Sequence, residues 1–355
     1  SRIREMPLAV LANQIISWTV CDKNVDKKMF LDTIKRAYPF RKFTEENLTD
    51  MLDLLDKVHQ NRTIGKAVRQ GPRAMKYFHG NLSLIPDQRT SGVRDITTRK
   101  MIGRLDERFI LDLVPGDKIV FRGSVWAVVE IDDEVTVSPS ASLGELPRWI
   151  GEDIPVPFSV AQEASQRLAD GNWAGLPITR EALDVLQNYH ESIADAGVMP
   201  SPECLTVEQH ERLFILNYPG GSRLNRTIGM IVTAMLTAKS GYKIGFQFDP
   251  YRIILDVPAR TTVKDLLAIL KGFVPEVSSL LRFAIKDSPS LKPQLLHSAR
   301  KMGAIAPDAD IGKFGMKKLM EAYSDTPLYT EAVERFLCHQ LDENGMEKFI
   351  HQINS

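Results

Sequence analysis

Cysteine is scarce in this chain. Cys21, Cys204 and Cys338 are odd in number and far apart, so no disulfide framework and no CxxC metal site is on offer, and a reducing compartment, the cytoplasm, is expected. No run approaches the roughly 20 apolar residues of a membrane span, so no membrane partner is expected. The start, SRIREMPLAVLANQ, has neither an initiator methionine nor a signal-peptide layout and reads as an internal cut from a longer polypeptide. HExxH, GxSxG, DxDxG, GxGxxG and the P-loop spacing with its lysine are all missing, and His297, His339 and His351 stand at no ligand spacing. No metal site and no catalytic nucleophile is expected. Neither charge dominates, since 45 Lys and Arg face 45 Asp and Glu. That excludes a uniformly basic nucleic-acid binder but leaves room for a local basic surface.

What is present is enough for two or three ordinary domains: 355 residues, 43% hydrophobic and 25% charged. The charge is unevenly placed. Between residues 60 and 104 stand ten cations (Arg62, Lys66, Arg69, Arg73, Lys76, Arg89, Arg94, Arg99, Lys100, Arg104) and only Asp87 and Asp95 as acids, a local net charge of +8. Such asymmetry in a neutral protein is a footprint of a polyanionic partner; a solvated face balanced by acids elsewhere is the other reading.

Residues 116 to 158 state their conformation most clearly. Lys118 to Arg122, Val125 to Ile131 and Val135 to Val137 are short β-branched and aromatic runs, split by Arg122-Gly123-Ser124 and by the acidic cluster Asp132 to Glu134. They predict an antiparallel meander or small barrel. The following SPSASLGELPRWIGEDIPVP is too rich in Ser, Gly and Pro to continue a ladder and predicts a long loop that carries Trp149. Two readings stay open for this indole: a lid on the barrel end, or a platform on which a base stacks, with Arg148 adding a phosphate contact.

Upstream, 7–19, 26–37 and 44–58 show helical spacing, with Pro7 in a first turn and Asp26 and Thr44 as N-caps, the plan of a winged helix. Strands are predicted at Leu82 to Ile85, Val93 to Thr97 and Lys100 to Leu105, with Arg89, Arg94 and Arg99 recurring every five residues. Helices at 157–169 and 179–196 lead to a second α/β unit, in which RLFILNY (212–218) is a buried strand, Gly220-Gly221 a tight turn and Ser222 the N-cap of a long apolar helix. That turn offers packing first and a backbone phosphate cradle second, strengthened by Arg223 and Arg226. A hairpin-like pair at 242–257 follows, and from Thr262 onward the pattern is helical. The fold class is therefore α+β, with a winged helix (1–80), an antiparallel β-barrel-like module (81–158) and a mainly α C-terminal domain with a small sheet (159–355).

The phrases PLAVLANQI, KRAYPFRKFTEENLTDMLDLL, NLSLIPDQRTSGVRD, IGRLDERFILDLVPGDKIVFRGSVWAVVEI, PRWIGE, GSRLNRTIG, SLLRFAIKD and SDTPLYTEAVERF, in this order, resemble the part of large helicase-related (Lhr-type) superfamily 2 helicases that lies C-terminal to their two RecA-like motor domains. The resemblance implies the accessory half of an ATP-dependent 3′ to 5′ translocase on DNA or RNA:DNA hybrids, packed on its motor so that the tracking strand is enclosed. ATP and magnesium then belong to the motor, absent here, and this chain alone is not catalytic. A tryptophan of the family that stacks on a base matches Trp149, and an isoleucine near the strand-separation point matches Ile85. The candidate nucleic-acid-binding set is Trp149, Arg148, Ile85, Arg89, Arg94, Arg73, Arg223, Asn225 and Arg226. Two alternatives remain: a DNA-glycosylase-like repair module using a carboxylate of Asp132 to Glu134, and a structural brace for the motor.

Overall fold

The computed structural model describes residues 3–84, 90–110, 113–121, 123–132, 134–140, 154–197, 199, 201–242, 244–272, 277–286, 288, 290–307, 309 and 315–354. The chain forms two compact units, Ser1–Glu152 with Ser288–Arg335, and Asp153–Asp287 with Phe336–Ser355.

The first unit opens with α1 (Leu8–Cys21), β1 (Val25–Asp26), α2 (Lys27–Ile34) and α3 (Glu45–Lys57), followed by the hairpin β2 (Asn61–Ile64) and β3 (Ala67–Gln70) and by α4 (Ala74–Gly80). Local chemistry sets these ends. Asp26 accepts the Lys28 amide at 2.8 Å, and Thr44 and Asn47 form a reciprocal capping box at the start of α3. Ile15, Ile16, Phe30, Phe43, Leu48, Met51, Leu52 and Leu55 make a closed core. The strands pair in the order β1-β3-β2. Three helices with a three-stranded sheet and a projecting hairpin are the plan of a winged helix.

A second sheet follows: β4 (Thr90–Asp95), β5 (Met101–Asp106), the short helix α5 (Glu107–Ile110), β6 (Lys118–Phe121), β7 (Ser124–Ile131) and β8 (Val135–Pro139), ordered β5-β4-β8-β7-β6. Val93, Leu105, Ile119, Phe121, Val128, Val135 and Val137 are its buried face. Two expectations change here. The sheet is mixed, because β4 pairs with β8 in parallel, and among the described residues it is open, with β5 and β6 as its edges. A side chain bridges those edges instead of a ladder. The Phe121 ring lies over Gly103, where a Cβ would meet it at 2.4 Å, so any larger residue there must displace the ring. Residues 82 to 84 form no strand; Ile85 and the loop with Trp149 lie outside the described residues.

The second unit holds α6 (Phe158–Asp170), α7 (Arg180–Ala196), β9 (Thr206–His210), β10 (Leu213–Asn217), α8 (Gly221–Ser240), β11 (Gly245–Phe248), β12 (Arg252–Asp256), α9 (Val263–Lys271) and α10 (Val277–Lys286). An antiparallel sheet, β11-β12-β10-β9, buries Phe214, Leu216, Ile253 and Leu255 beneath α8. Then come α11 (Leu291–Lys301), α12 (Met316–Tyr323), α13 (Pro327–Gln340) and α14 (Glu343–Asn354). The sequence placed everything from 159 onward in one domain, yet residues 288–335 cluster with the first unit. The reason is a set of long-range bonds: Gln60 Nε2 donates to the Gly303 carbonyl at 3.0 Å, Tyr77 Oη to that of Lys301, and Arg300 pairs with Glu107 through both guanidinium arms at 2.5 and 2.7 Å. Glu331, 1% exposed, holds Arg4 at 2.6 and 2.8 Å and accepts the Leu8 amide at 2.8 Å, capping α1 where Pro7 offers no side-chain cap.

Candidate nucleic-acid interface

The β2–β3 hairpin is the wing. Asn61-Arg62-Thr63-Ile64 and Ala67-Val68-Arg69-Gln70 are joined by two residues, Gly65 and Lys66, with Gly65 at φ +61° in the position where a II′ turn places glycine. The register sets Arg62 directly opposite Arg69. Like charges so placed repel each other across a ladder. Arg62, Lys66, Arg69, Arg73 and Lys76 are all exposed, and among the described residues none has an acidic partner. Arg69 Nε donates to Asn24 Oδ1 at 2.6 Å, which orients the guanidinium without neutralising it. Arg73 stands at the N-cap position of α4, where its cation gains nothing from the helix dipole. The sequence places a winged helix over 1–80 with a polar, extended stretch after its helices, but not the two strands of the wing, because both faces are largely polar and show no hydrophobic period. The signal that could have found them is the two-residue Gly-Lys step between two four-residue runs.

The five-stranded sheet sorts the other cations. Arg94 is engaged internally: its Nε and Nη2 donate to Glu134 at 2.6 and 3.1 Å and its Nη1 to the Arg99 carbonyl at 2.9 Å. The guanidinium hydrogen bonds, opposed by burial and helped by the Arg94 charge, hold the Glu134 carboxyl below its usual range, and the same pairing raises Arg94. Arg104 grips the Thr90 hydroxyl at 2.6 Å and carbonyl at 2.8 Å. Glu134 thus serves as an ion-pair partner, and Asp132 donates its amide to the Glu134 carbonyl in a hairpin turn. Arg94 occupies the Glu134 carboxylate; Asp133 lies outside the described residues, as do Arg89, Arg148, Trp149 and Ile85.

In the second unit only one of the three residues proposed from GSRLNRTIG faces solvent. Arg223 is exposed and borders a cavity of about 390 Å³ lined also by Val156, Phe158, Leu341 and Asp342. Asn225 is fully buried and its amide donates to the Tyr218 and Asp249 carbonyls, both at 2.9 Å, tying strand ends to the helix. Arg226 lies over the Phe248 and Phe336 rings, 5.7 and 5.1 Å from their centroids, and bonds Gln340. Ser222 is not the N-cap; Gly220 is. The phosphate-cradle reading gives way to packing: the Gly221 and Ser222 amides donate to the Pro250 and Val156 carbonyls, and the Ser222 hydroxyl accepts the Val156 amide. Gly221, at φ +72°, has no room for a Cβ, which would sit 2.7 Å from the Val156 oxygen. No metal-ligand cluster occurs among the described residues, and none of their helices is long and apolar enough to cross a membrane.

Two family models match this arrangement. Residues 1–144 match the winged-helix domain of large helicase-related proteins and residues 199–355 the DEAD/H-associated domain. A winged helix joined to a DEAD/H-associated domain defines a helicase-associated region. The chain belongs to the large helicase-related (Lhr) family and corresponds to a C-terminal region of these helicases. It is 21% identical over 381 residues to the ATP-dependent helicase Lhr-Core of Methanocaldococcus jannaschii, covering 96% of this chain and 44% of that protein. To the Lhr helicase/probable uracil glycosylase of Mycolicibacterium smegmatis it is 24% identical over 403 residues, 99% of this chain and 26% of that one. The chain spans less than half the length of these curated relatives. A solved structure of Mycobacterium smegmatis helicase Lhr bound to ssDNA and AMP-PNP shares the fold, with a TM-score of 0.67 and 18% identity over 99% of this chain and 45% of that one.

Proposed function

We propose that this chain is the nucleic-acid-binding accessory part of an ATP-dependent 3′ to 5′ helicase, acting in the cytoplasm on single-stranded DNA or an RNA:DNA hybrid and enclosing the tracking strand with the RecA-like motor of the same polypeptide. The observation that carries the reading is the wing: Arg62 and Arg69 held in opposition with Lys66 between them, all exposed and none paired with an acid among the described residues. A phosphate backbone is the partner that turns this repulsion into attraction. The names of the relatives, Lhr-Core helicases, and the single strand in the neighbouring structure support it. Trp149 stacks on a base, with Arg148 and Arg89 on flanking phosphates, Ile85 near the strand-separation point, and Arg73 and Arg223 as further backbone contacts. ATP and magnesium act at the motor, whose P-loop motif this chain does not carry.

Fluorescence anisotropy with a labelled single strand, repeated across a salt series, tests the proposal. Affinity should fall log-linearly with salt, by a slope of about 0.7 for each phosphate contacted, and the chain alone should hydrolyse no ATP. Trp149→Ala should weaken single-strand binding by about 1–3 kcal/mol, and Trp149→Phe by less. Absence of binding at low salt would leave the structural-brace reading in its place.

A further inference from the structure

The β4–β5 connection, Ile96 to Lys100, is built more rigidly than a surface hairpin requires. Asp95, 3% exposed, accepts the Thr97 amide at 2.8 Å and the Thr98 hydroxyl at 2.6 Å, while its own amide donates to the Lys100 carbonyl at 3.0 Å. The Ile96 amide donates to the Val137 carbonyl of β8 at 2.9 Å, and Arg94, fastened to Glu134, holds the Arg99 carbonyl at 2.9 Å. What this frame displays is unusual for a turn. Ile96 is 50% and Met101 51% exposed, and between them Thr97, Thr98, Arg99 and Lys100 are exposed, the two cations without an acidic partner among the described residues.

Arg99 is also in the left-handed region, at φ +56°. Glycine or asparagine would occupy that conformation more cheaply. Strain of this kind at an exposed cation points from geometry to use.

We propose that this braced hairpin is a second nucleic-acid contact, separate from the wing: Arg99 and Lys100 take backbone phosphates of a single strand while Ile96 lies against an exposed base. The proposal rests on the nucleic-acid reading above. A single strand is the fitting occupant because its bases offer a face to an aliphatic side chain without the few kcal/mol that opening a stacked duplex step costs, and the adjoining cations supply charge complementarity.

The test compares the whole chain with Arg99→Gly, Lys100→Ser and Ile96→Ser by anisotropy on a labelled oligonucleotide, single-stranded and as a blunt duplex, with thermal unfolding recorded for each. Arg99→Gly should keep or raise the melting temperature, since the backbone strain goes, yet bind the single strand more weakly with a salt slope shallower by about 0.7. Lys100→Ser should shift the slope alike. Ile96→Ser should weaken the single-strand complex and spare the duplex one. If the parent chain binds and all three variants match it in affinity and slope, the hairpin assignment is overturned while the nucleic-acid reading stands. If Arg62→Glu weakens binding but the hairpin variants do not, the wing alone makes the contact. If the parent chain binds no oligonucleotide at low salt, both fail together.

Discussion

Replacing Glu331 by glutamine removes one charge and almost no volume, in a place where the charge has several tasks. The carboxylate is buried, its side chain 2% exposed, and faces Arg4, whose side chain is 18% exposed. Both Arg4 Nη atoms and the Leu8 amide donate to it, at 2.8, 2.6 and 2.8 Å. The amide of Glu331→Gln would present N–H to at least one of these donors and leave the Arg4 cation half-buried without a counter-charge. Breaking one side of a buried pair costs about 3–5 kcal/mol. The partial exposure of Arg4 favours the lower end, about 3 kcal/mol, of which the helix cap on α1 accounts for about 1. Against the 5–15 kcal/mol typical of a domain, the first unit becomes marginal. The assay is urea unfolding combined with hydrogen exchange, in which the amides of Leu8 to Ala12 should lose protection together with those of 328–332. The double variant Arg4→Met/Glu331→Met should recover most of the loss, because two apolar side chains leave no orphaned charge. A single-variant loss under about 1 kcal/mol, the size of an exposed pair, would refute the argument.

Three shorter predictions follow from other parts of the chain. Arg69→Glu places an acid opposite Arg62 and should stabilise the wing by about 0.2–1 kcal/mol while weakening single-strand binding, read by melting temperature and anisotropy on the same samples. His297 is pushed down to about 3, first by burial and then by the charges of Arg335, Lys301, Arg300 and Arg4. Its folded value lies below its unfolded one, so its contribution is fully present above pH 6.5 and erodes as pH falls, by about 2 kcal/mol at pH 5; His297→Gln should flatten that part of the stability-versus-pH curve. Gly221→Ala must adopt φ +72° and push the Val156 oxygen away from 2.7 Å, which should destabilise the second unit by about 2 kcal/mol or more in thermal unfolding.

Local chemistry was legible where it was local. Asp26 and Thr44 cap the helices expected of them, the strands of Lys118 to Val137 stand where their β-branched runs put them, and Phe246 and Phe248 turn inward as their alternation requires. Pairings between distant residues were not legible. Nothing in the composition of β8 says that it lies parallel to β4, or that Glu134 sits 40 residues away from Arg94 to receive its guanidinium. The same limit explains Asn225 and Arg226, polar residues on a helix whose inner face is decided by β10, β12 and α13 rather than by their own neighbours.

The cations of the 60–104 segment are not equivalent: what each touches divides them. Arg94 is paired with Glu134 inside the sheet, and Arg104 is oriented by Thr90 but keeps its charge exposed. Arg62 opposite Arg69 and Arg99 in a left-handed backbone each make the unliganded fold slightly less stable than a threonine, glutamate or glycine would. A marginally stable protein tolerates only a few such residues. Each also presents to solvent a cation without an acidic partner among the described residues, and on the proposed reading a phosphate that supplies the missing charge would convert local instability into binding free energy. Ligand that binds only the folded chain must then protect the wing and the Ile96 to Lys100 loop from exchange in proportion to its concentration over Kd. Protection confined to other elements would separate these strained positions from nucleic-acid binding.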